Sequence, residues 1–600
     1  MPVFSSDGKY LLFTSNRDFN PTYGWTEWNH VFTDMSKVYL ITLAKSTPNP
    51  FKPENDEVTV KKDEPAESKE GADKKEGKSD EKKDDATKDK SIKIDADGIM
   101  ERVVALPVDA GTYWGLGNVD DNIYYIRGGV RGGKPTLTVF NLKDKKETAV
   151  GEFNSYEITA DAKKMLVAGS GKYAVIDLPK GKAEPKDYAD LANMKVKVDL
   201  QAEWKQIYDE SWRQMKYFFY APNMHGVDWD IMKKKYEVLV PYVNNRNDLN
   251  YLIGELIGEL NVGHAYVSGG DKPEPLRIKQ GLLGAKLSRD ASGYYRIDKI
   301  LSGENWAKSS RSPLTEIGVD VKEGDYIIAV NGKPTKEMAD IYEALVNTAG
   351  SQVELTVGSA PSDKDVRKTI VVPVDNEADL YYYTWVQGNI RKVEEATNGE
   401  VGYIHIPDMG AEGLAEFAKH FYPQMGKKAL IIDDRGNGGG NVSPMIIERL
   451  AREAVIMRMA RNTQPNPGRL EMVLGPKICL IDQYSASDGD LFPYQFKSLK
   501  LGKLVGQRTW GGVIGIRGSL PFIDGGSLQK PEFANYDFRE NKWAIEGEGV
   551  TPDVQVDNDP AKEYAGDDQQ LSKAIELILE EMKNWPKELP AIPPYPDKTK

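Results

Sequence analysis

The chain has 600 residues, 40% of them hydrophobic and 28% charged, with a formal net charge of -13 and a pI of about 5.3. That length exceeds a single core and predicts roughly three to five domains; no apolar run approaches the ~18 residues of a membrane span, and the acidic balance argues against a nucleic-acid partner, whose phosphates it would repel. One cysteine, Cys479, leaves no internal disulfide framework and no CxxC metal or redox site.

The opening MPVFSSDGKYLLFTSNRD has no basic stretch followed by an apolar one, so nothing there directs export. It reads as the middle of a β domain, and the chain is expected to begin inside a longer architecture. FSSDGKYLLFTSN (4–16), NVDDNIYYIRGG (118–129) and ITADAKKMLVAGS (158–170) each join an Asp-bearing turn to an apolar strand, the spacing of propeller blades. Between them, residues 61–93 are so charged and so poor in apolar side chains that they are expected to form a disordered loop. DADG (95–98) resembles the start of a calcium loop, but the later acidic positions do not follow, and a β-turn accounts for it.

From about 198 the period becomes helical. Trp204, Tyr208, Trp212, Met215 and Phe219 form one stripe, and Leu249, Leu252, Ile253, Leu256, Ile257 and Leu260 another, with Asp248 as the expected N-cap of the second. Both are read as core. GLLGAKL (281–287) and GVDVKEGDYIIAVNGKPT (318–335) resemble a PDZ domain, in which backbone amides of the first segment hold a peptide's terminal carboxylate and a sheet edge takes the extended peptide; a rigid spacer with no ligand is the other reading. The last third alternates buried-type strands, VGYIHI (401–406), KALIIDD (428–434) and KICLIDQ (477–483), with helices, which predicts a mostly parallel sheet with ligands at its carboxyl ends.

Two of those ends carry RGNGGGN and YSASDGD. Ser487 has two readings: a helix cap, or a nucleophile flanked by free N–H groups at a helix start, with Gly438, Gly439 and Gly440 opening a second N–H to a substrate carbonyl. Five histidines are available as a base. His30 is assigned to a propeller loop, His225 to a loop of the helical domain, His405 to a buried strand and His420 to the exposed face of an amphipathic helix. His264, at a Gly turn after a helix, is either structural or the base. A third group must fix the imidazole. WAIEGEGVTPDVQV (543–556) offers Glu546, placed on a strand end, and Glu548, and chemistry alone does not choose between them.

ELNVGHAYV (259–267), IDDRGNGGGNVS (432–443), YSASDGDLF (484–492) and IEGEGVTPD (545–553), in this order, resemble the tricorn protease family, serine peptidases related to the tail-specific carboxyl-terminal processing proteases. The resemblance covers nearly the whole chain. It implies a multidomain α/β and β architecture: a partial β-propeller over 1–192, a helical domain with the catalytic histidine over 193–275, a PDZ domain over 276–377 and a ClpP/crotonase-like α/β catalytic domain over 378–600. By the same resemblance Ser487 is the nucleophile, His264 the general base, Glu546 the charge-relay acid, Gly439 and Asp488 the oxyanion donors, and Gly438, Gly515 and Ile516 substrate contacts. The archetype has a serine before its catalytic histidine, linking it to the glutamate; here that position is Gly263, so the link is expected through a water or a direct contact. Its acidic specificity residue has no match in AREAVIMRMARN (451–462), which offers Met457 or Arg458, so a preference for basic side chains is not inherited. The family's two propellers are represented by the tail of one, which is expected to weaken substrate filtering.

The implied activity is cleavage of oligopeptides through an acyl-enzyme, by a homo-oligomer, hexameric in the archetype, without metal or organic cofactor. The implied location is the cytoplasm, or the periplasm or exterior if an export signal precedes this sequence. Two rival readings are a non-catalytic protein whose PDZ and propeller hold peptide tails, and a crotonase-like acyl-CoA enzyme.

Overall fold

A computed structural model describes the chain apart from residues 1, 20, 25–29, 53–91, 129–132, 468–470, 586–590 and 600. It divides into two compact units, Met1–Lys197 and Val198–Lys600. Most of the charge-rich loop expected at 61–93 lies outside the described residues.

In the first unit neighbouring strands pair antiparallel, as in Tyr10–Ser15 with Lys37–Thr42, Asn122–Arg127 with Thr136–Asn141, and Lys164–Gly169 with Lys172–Asp177, within blade-like sheets of four, four and three strands. Two of the Asp turns share one device: Asp7 Oδ1 accepts from Ser5 Oγ at 2.7 Å, and Asp161 Oδ1 accepts from Thr159 Oγ1 at 2.7 Å, each closing the turn that feeds a strand. DADG makes a turn, with Gly98 at φ 66°. His30, expected in a loop, instead opens the short strand His30–Phe32 against Pro21–Tyr23, where Val31 and Phe32 favour extended backbone.

The second unit begins with three helices, α1 (Leu200–Phe218), α2 (Trp229–Glu237) and α3 (Arg246–Gly258), capped by the side chains of Asp199, Asp228 and Asn245. Asp248 is therefore not the cap of α3. It is a first-turn residue whose own N–H bonds Asn245 Oδ1 at 3.1 Å. Trp204, Tyr208, Met215 and Phe219 pack with the apolar face of α3, and Phe522 and Leu528 from far along the chain join the same core. After α3 the backbone turns at Asn261 and enters β1 (Tyr266–Ser268), which pairs antiparallel with the strand Ser527–Phe533. The turn carrying His264 is thus fastened at both ends.

Strands β2 (Ala285–Arg289), β3 (Tyr295–Ile300), β4 (Tyr326–Val330), β5 (Val353–Gly358) and β6 (Arg367–Val371) form an antiparallel sheet in that spatial order, with β2 at its edge, around Leu283, Ile297, Ile327, Leu345 and Leu355. There follow α4 (Ala378–Ala396), β7 (Val401–His405), α5 (Ala411–Phe421), β8 (Ala429–Asp433), α6 (Ser443–Leu450), β9 (Lys477–Ile481), α7 (Asp488–Ser498), β10 (Gly502–Gly506), β11 (Gly515–Arg517), β12 (Ser527–Phe533), β13 (Val554–Gln555) and α8 (Gln569–Lys583). β7, β8, β9, β10 and β13 lie side by side in that order and are parallel throughout. Phe417, Ile446 and Phe492 of α5, α6 and α7 cover one face; Val393 of α4 and Leu571, Ala574 and Ile578 of α8 cover the other. With both faces covered, the strands need continuous apolar sequence rather than alternation. β8 and β9 are neighbours, so their C-terminal loops emerge together.

His405 is buried, as expected, but His420 is not exposed: it retains 9% of its surface. It shares the inward face of α5 with Phe417 and Phe421, three residues before and one after. Among the described residues no helix is long and apolar enough to cross a membrane.

Candidate active site

The loop after β9 answers the question posed by Ser487. Asp482 Oδ1 accepts the N–H groups of Tyr484 and Ser485 at 3.0 Å each, and Ala486 N–H donates to Asn437 O at 2.9 Å, so the chain reaches α7 in a tight, fixed turn. Ser487 occupies the N-cap position at φ 58°, ψ -115°, yet its side chain makes no capping hydrogen bond. A non-glycine residue in that conformation costs on the order of 1–3 kcal/mol, which the surrounding bonds must hold in place. Among the described residues the hydroxyl is not used as a cap, and Ser487 lines a cavity of about 860 Å³.

His264, Gly438, Gly439, Asp488, Gly515 and Ile516 line that same cavity; Glu546 does not. Gly439, at φ 86°, approaches so closely that a Cβ there would lie 2.7 Å from both Ala486 O and Ser487 Cβ, which only glycine permits. Its N–H donates to Asn437 Oδ1 at 2.9 Å, and that of Gly438 to Pro407 O at 3.2 Å. The N–H of Asp488, first residue of α7, has no acceptor among the described residues. One expected oxyanion donor is thus open and the other is tied to a side chain. Asp488's carboxylate points elsewhere: it accepts Ser443 Oγ at 2.6 Å and Ser443 N–H at 2.9 Å, joining the start of α6 to the start of α7.

His264 Nδ1 bonds Ile514 O at 2.8 Å, which requires the proton on Nδ1 and leaves the lone pair on Nε2. Trp510 and Tyr266 pack edge-on against the ring. Burial lowers the imidazole pKa, against smaller opposing effects of the Ile514 carbonyl and the Glu546 charge, so the ring is neutral near pH 7.

Glu546 lies in a turn rather than on a strand end, because Ile545 and Gly547 on either side of it both have positive φ, 26° and 74°, and carry the chain away from the sheet. Its Oε2 accepts Val513 N–H at 2.8 Å and Ile514 N–H at 3.1 Å, and its Oε1 accepts Gly263 N–H at 3.2 Å. The link to histidine is neither direct nor through the side chain of residue 263. It runs through backbone: Ile514 donates its N–H to Glu546 and accepts the imidazole proton with its carbonyl. Glu548 is exposed and does not line the cavity.

Four features lie outside the sequence-based set. Asn437, fully buried, donates Nδ2 to Ile406 O at 3.0 Å and to Asp434 Oδ1 at 2.9 Å while holding Gly439, so it fixes the glycine loop. Arg435 anchors the start of that loop through Asp433 and Asp568, in a buried ion-pair cluster. Asp490, one turn into α7, accepts Gly511 N–H at 2.7 Å, and burial pushes its pKa up to about 6. Leu491, Tyr494, Gln495, Ser498 and Leu499 supply a cavity wall; their three- and four-residue spacing from Ser487 is a helical signal that was available in the sequence. Met457 and Arg458 do not line the cavity. Among the described residues no group of three or more His, Cys, Asp or Glu is arranged to hold a metal ion.

Family models match four stretches: "Tricorn protease second beta propeller domain" over residues 1–179, "Tricorn protease C1 domain" over 200–258, "Tricorn protease PDZ domain" over 281–376 and "Peptidase family S41" over 400–556. The chain is 34% identical to tricorn protease homolog 1 of Streptomyces coelicolor, over 98% of this chain and 55% of that protein. It is 30% identical to the tricorn protease of Thermoplasma acidophilum, over 99% and 53%. The crystal structure of the tricorn protease superposes with a TM-score of 0.83 at 29% identity, covering 97% of this chain and 55% of that one. The chain therefore spans about half the length of these relatives. With propeller, C1, PDZ and S41 segments succeeding one another in a single polypeptide, and whole-chain likeness in both sequence and fold, the chain belongs to the tricorn protease family.

Proposed function

We propose that this chain is a serine peptidase that cleaves oligopeptides through an acyl-enzyme on Ser487. His264 Nε2 takes the hydroxyl proton as Ser487 Oγ attacks the scissile carbonyl, then delivers it to the leaving amine. The oxyanion accepts from Asp488 N–H, and from Gly439 N–H once the substrate oxygen replaces Asn437 Oδ1. Glu546 orients the imidazole through Ile514 and favours its cationic form. The substrate lies extended against the edge strand β11, where Gly515 and Ile516 face the cavity.

The observation that carries this reading is the strained, uncapped Ser487 sharing one cavity with His264 and the glycine loop. The S41 match over 400–556 disfavours both a non-catalytic peptide binder and a crotonase-like enzyme. By family resemblance the working form is a homo-oligomer, hexameric in the archetype, acting in the cytoplasm.

A fluorophosphonate probe on the intact protein tests the assignment. Labelling is expected, with none after Ser487→Ala and a rate about 100-fold lower or less after His264→Ala. Labelling that survives Ser487→Ala would overturn it.

A further inference from the structure

The amide loop of the PDZ domain already holds a carboxylate, and it belongs to the chain itself. Glu377, at the N-cap position of α4, makes no capping bond to its own helix. Its Oε1 instead accepts the N–H of Gly284 at 2.6 Å, in the GLLG segment that resembles a terminal-carboxylate site. Gly284 has φ 72°, the left-handed conformation that turns successive amides toward one anion. The Gly284 and Ala285 amides favour the charged form of Glu377, while its half-burial opposes that form more strongly.

The approach to this contact is built. Leu282 and Val374 exchange backbone hydrogen bonds at 2.8 and 2.9 Å, which lays the linker from β6 against the loop three residues before Glu377. One turn into α4, Leu380 is 1% exposed, and its Cδ1 lies 3.2 Å from where a Cβ on Gly284 would stand. The site therefore contains a carboxylate next to a leucine side chain, the pair of groups that a peptide ending in leucine presents. Among the described residues β2 has no strand partner on its outer edge, and Tyr342 and Val346 are exposed.

We propose that Glu377 is a built-in ligand of the PDZ carboxylate site, so that a peptide with a free, apolar C-terminus binds there only by displacing it. The apparent affinity for such a peptide is the intrinsic affinity reduced by the fraction of molecules whose site is open. Glu377 is also one of the contacts between the PDZ sheet and α4, beside the Ser302–Thr384 hydrogen bonds, so its displacement loosens that junction without breaking it. None of this depends on the peptidase assignment.

The test is fluorescence anisotropy with a fluorescein-labelled Gly-Ser-Ala-Leu peptide, as free acid and as C-terminal amide, on the full chain carrying Ser487→Ala so that the probe is not cleaved. Glu377→Gln and Glu377→Ala are expected to bind the acid at least about tenfold tighter than the parent, and tighter than they bind the amide. Equal affinity of parent and variants for the acid would overturn the proposal, as would variants that bind acid and amide alike or bind neither. Glu377→Gln keeps the side-chain volume and decides the matter alone if Glu377→Ala does not fold. The readout is binding, so an inert Ser487 leaves the outcome unchanged.

Discussion

Asp490 lies one turn behind Ser487, and burial sets its protonation state. Its carboxyl is wholly buried and Oδ2 has no hydrogen-bond partner among the described residues, which suits a neutral acid better than an anion. Burial raises its pKa to about 6; hydrogen bonds from Thr509, Gly511 and Ser487 pull it down, and the Glu546 charge pushes it up. Because the folded value lies above the unfolded one of 3.8, the folded state keeps a proton that the unfolded chain gives up. The stabilisation is fully present below about pH 3.8 and is lost as pH rises through about 6. A gap of about two pH units, at about 1.4 kcal/mol each, leaves a penalty of about 3 kcal/mol at pH 8. Asp490→Asn is therefore expected to raise the thermal midpoint at pH 8 relative to the parent and to leave it nearly unchanged at pH 4. A variant whose midpoint follows the same pH dependence as the parent would show that the carboxyl stays charged. At this scale glycines and a helix start marked Ser487 and His264 as candidates, and only the family resemblance gave them roles. The route from Glu546 to His264 was not, since it passes through N–H and C=O groups of Ile514 that any residue would supply.

A buried ion pair joins the elements around His264. Arg246, first residue of α3, places its Nε against the carboxylate of Asp524 in the segment between β11 and β12, and both side chains are almost fully buried. Asp524 also accepts the N–H groups of Gly526 at 3.0 Å and Asp271 at 3.2 Å, the second just past β1. A helix, an edge strand and a hairpin turn thus meet at a single carboxylate, and the His264 turn spans two of them. Arg246→Ala strands that charge without its cation and is expected to cost about 3–5 kcal/mol, with a loss of hydrolysis as the imidazole moves. Adding Asp524→Ala should recover part of the stability, so the double variant costs less than the sum of the singles. Strict additivity in thermal unfolding would refute the coupling. Periodicity read the faces of α1 and α3 correctly, but not the pairing of Tyr266 with Gln529, which no local pattern encodes. It also missed the cap of α3, because Asn245 and Asp248 are both capping types and the bond from Asp248 N–H to Asn245 is a matter of backbone geometry. His420 was misplaced for a related reason: a polar residue at helical spacing looks exposed until Phe417 and Phe421 are seen to share its face.

Among the described residues, six buried apolar clusters each fall within one unit or the other. The groups around Leu12, Tyr125 and Phe140 and around Tyr124, Val139 and Val167 lie within Met1–Lys197; the four around Leu256, Phe492, Ile327 and Ile431 lie within Val198–Lys600. The order of these regions was legible because each has its own pattern, from Asp-turn blades to the glycine-rich ends of parallel strands. That segments so far apart as 204–219 and 522–528 share one core was not, since pooled burial leaves no mark in either stretch alone. Separate cores predict separate cooperative transitions, so calorimetry of the full chain should give a measured enthalpy larger than the van't Hoff value of its main peak. The proposed site lies wholly in the second unit. Covalent occupation of Ser487 by a fluorophosphonate adds contacts to that folded unit only, and linkage then requires that its transition move to higher temperature while the other stays in place. Two peaks that shift together by the same amount, or a single two-state peak, would mean that the propeller-type unit and the peptidase unit unfold as one body.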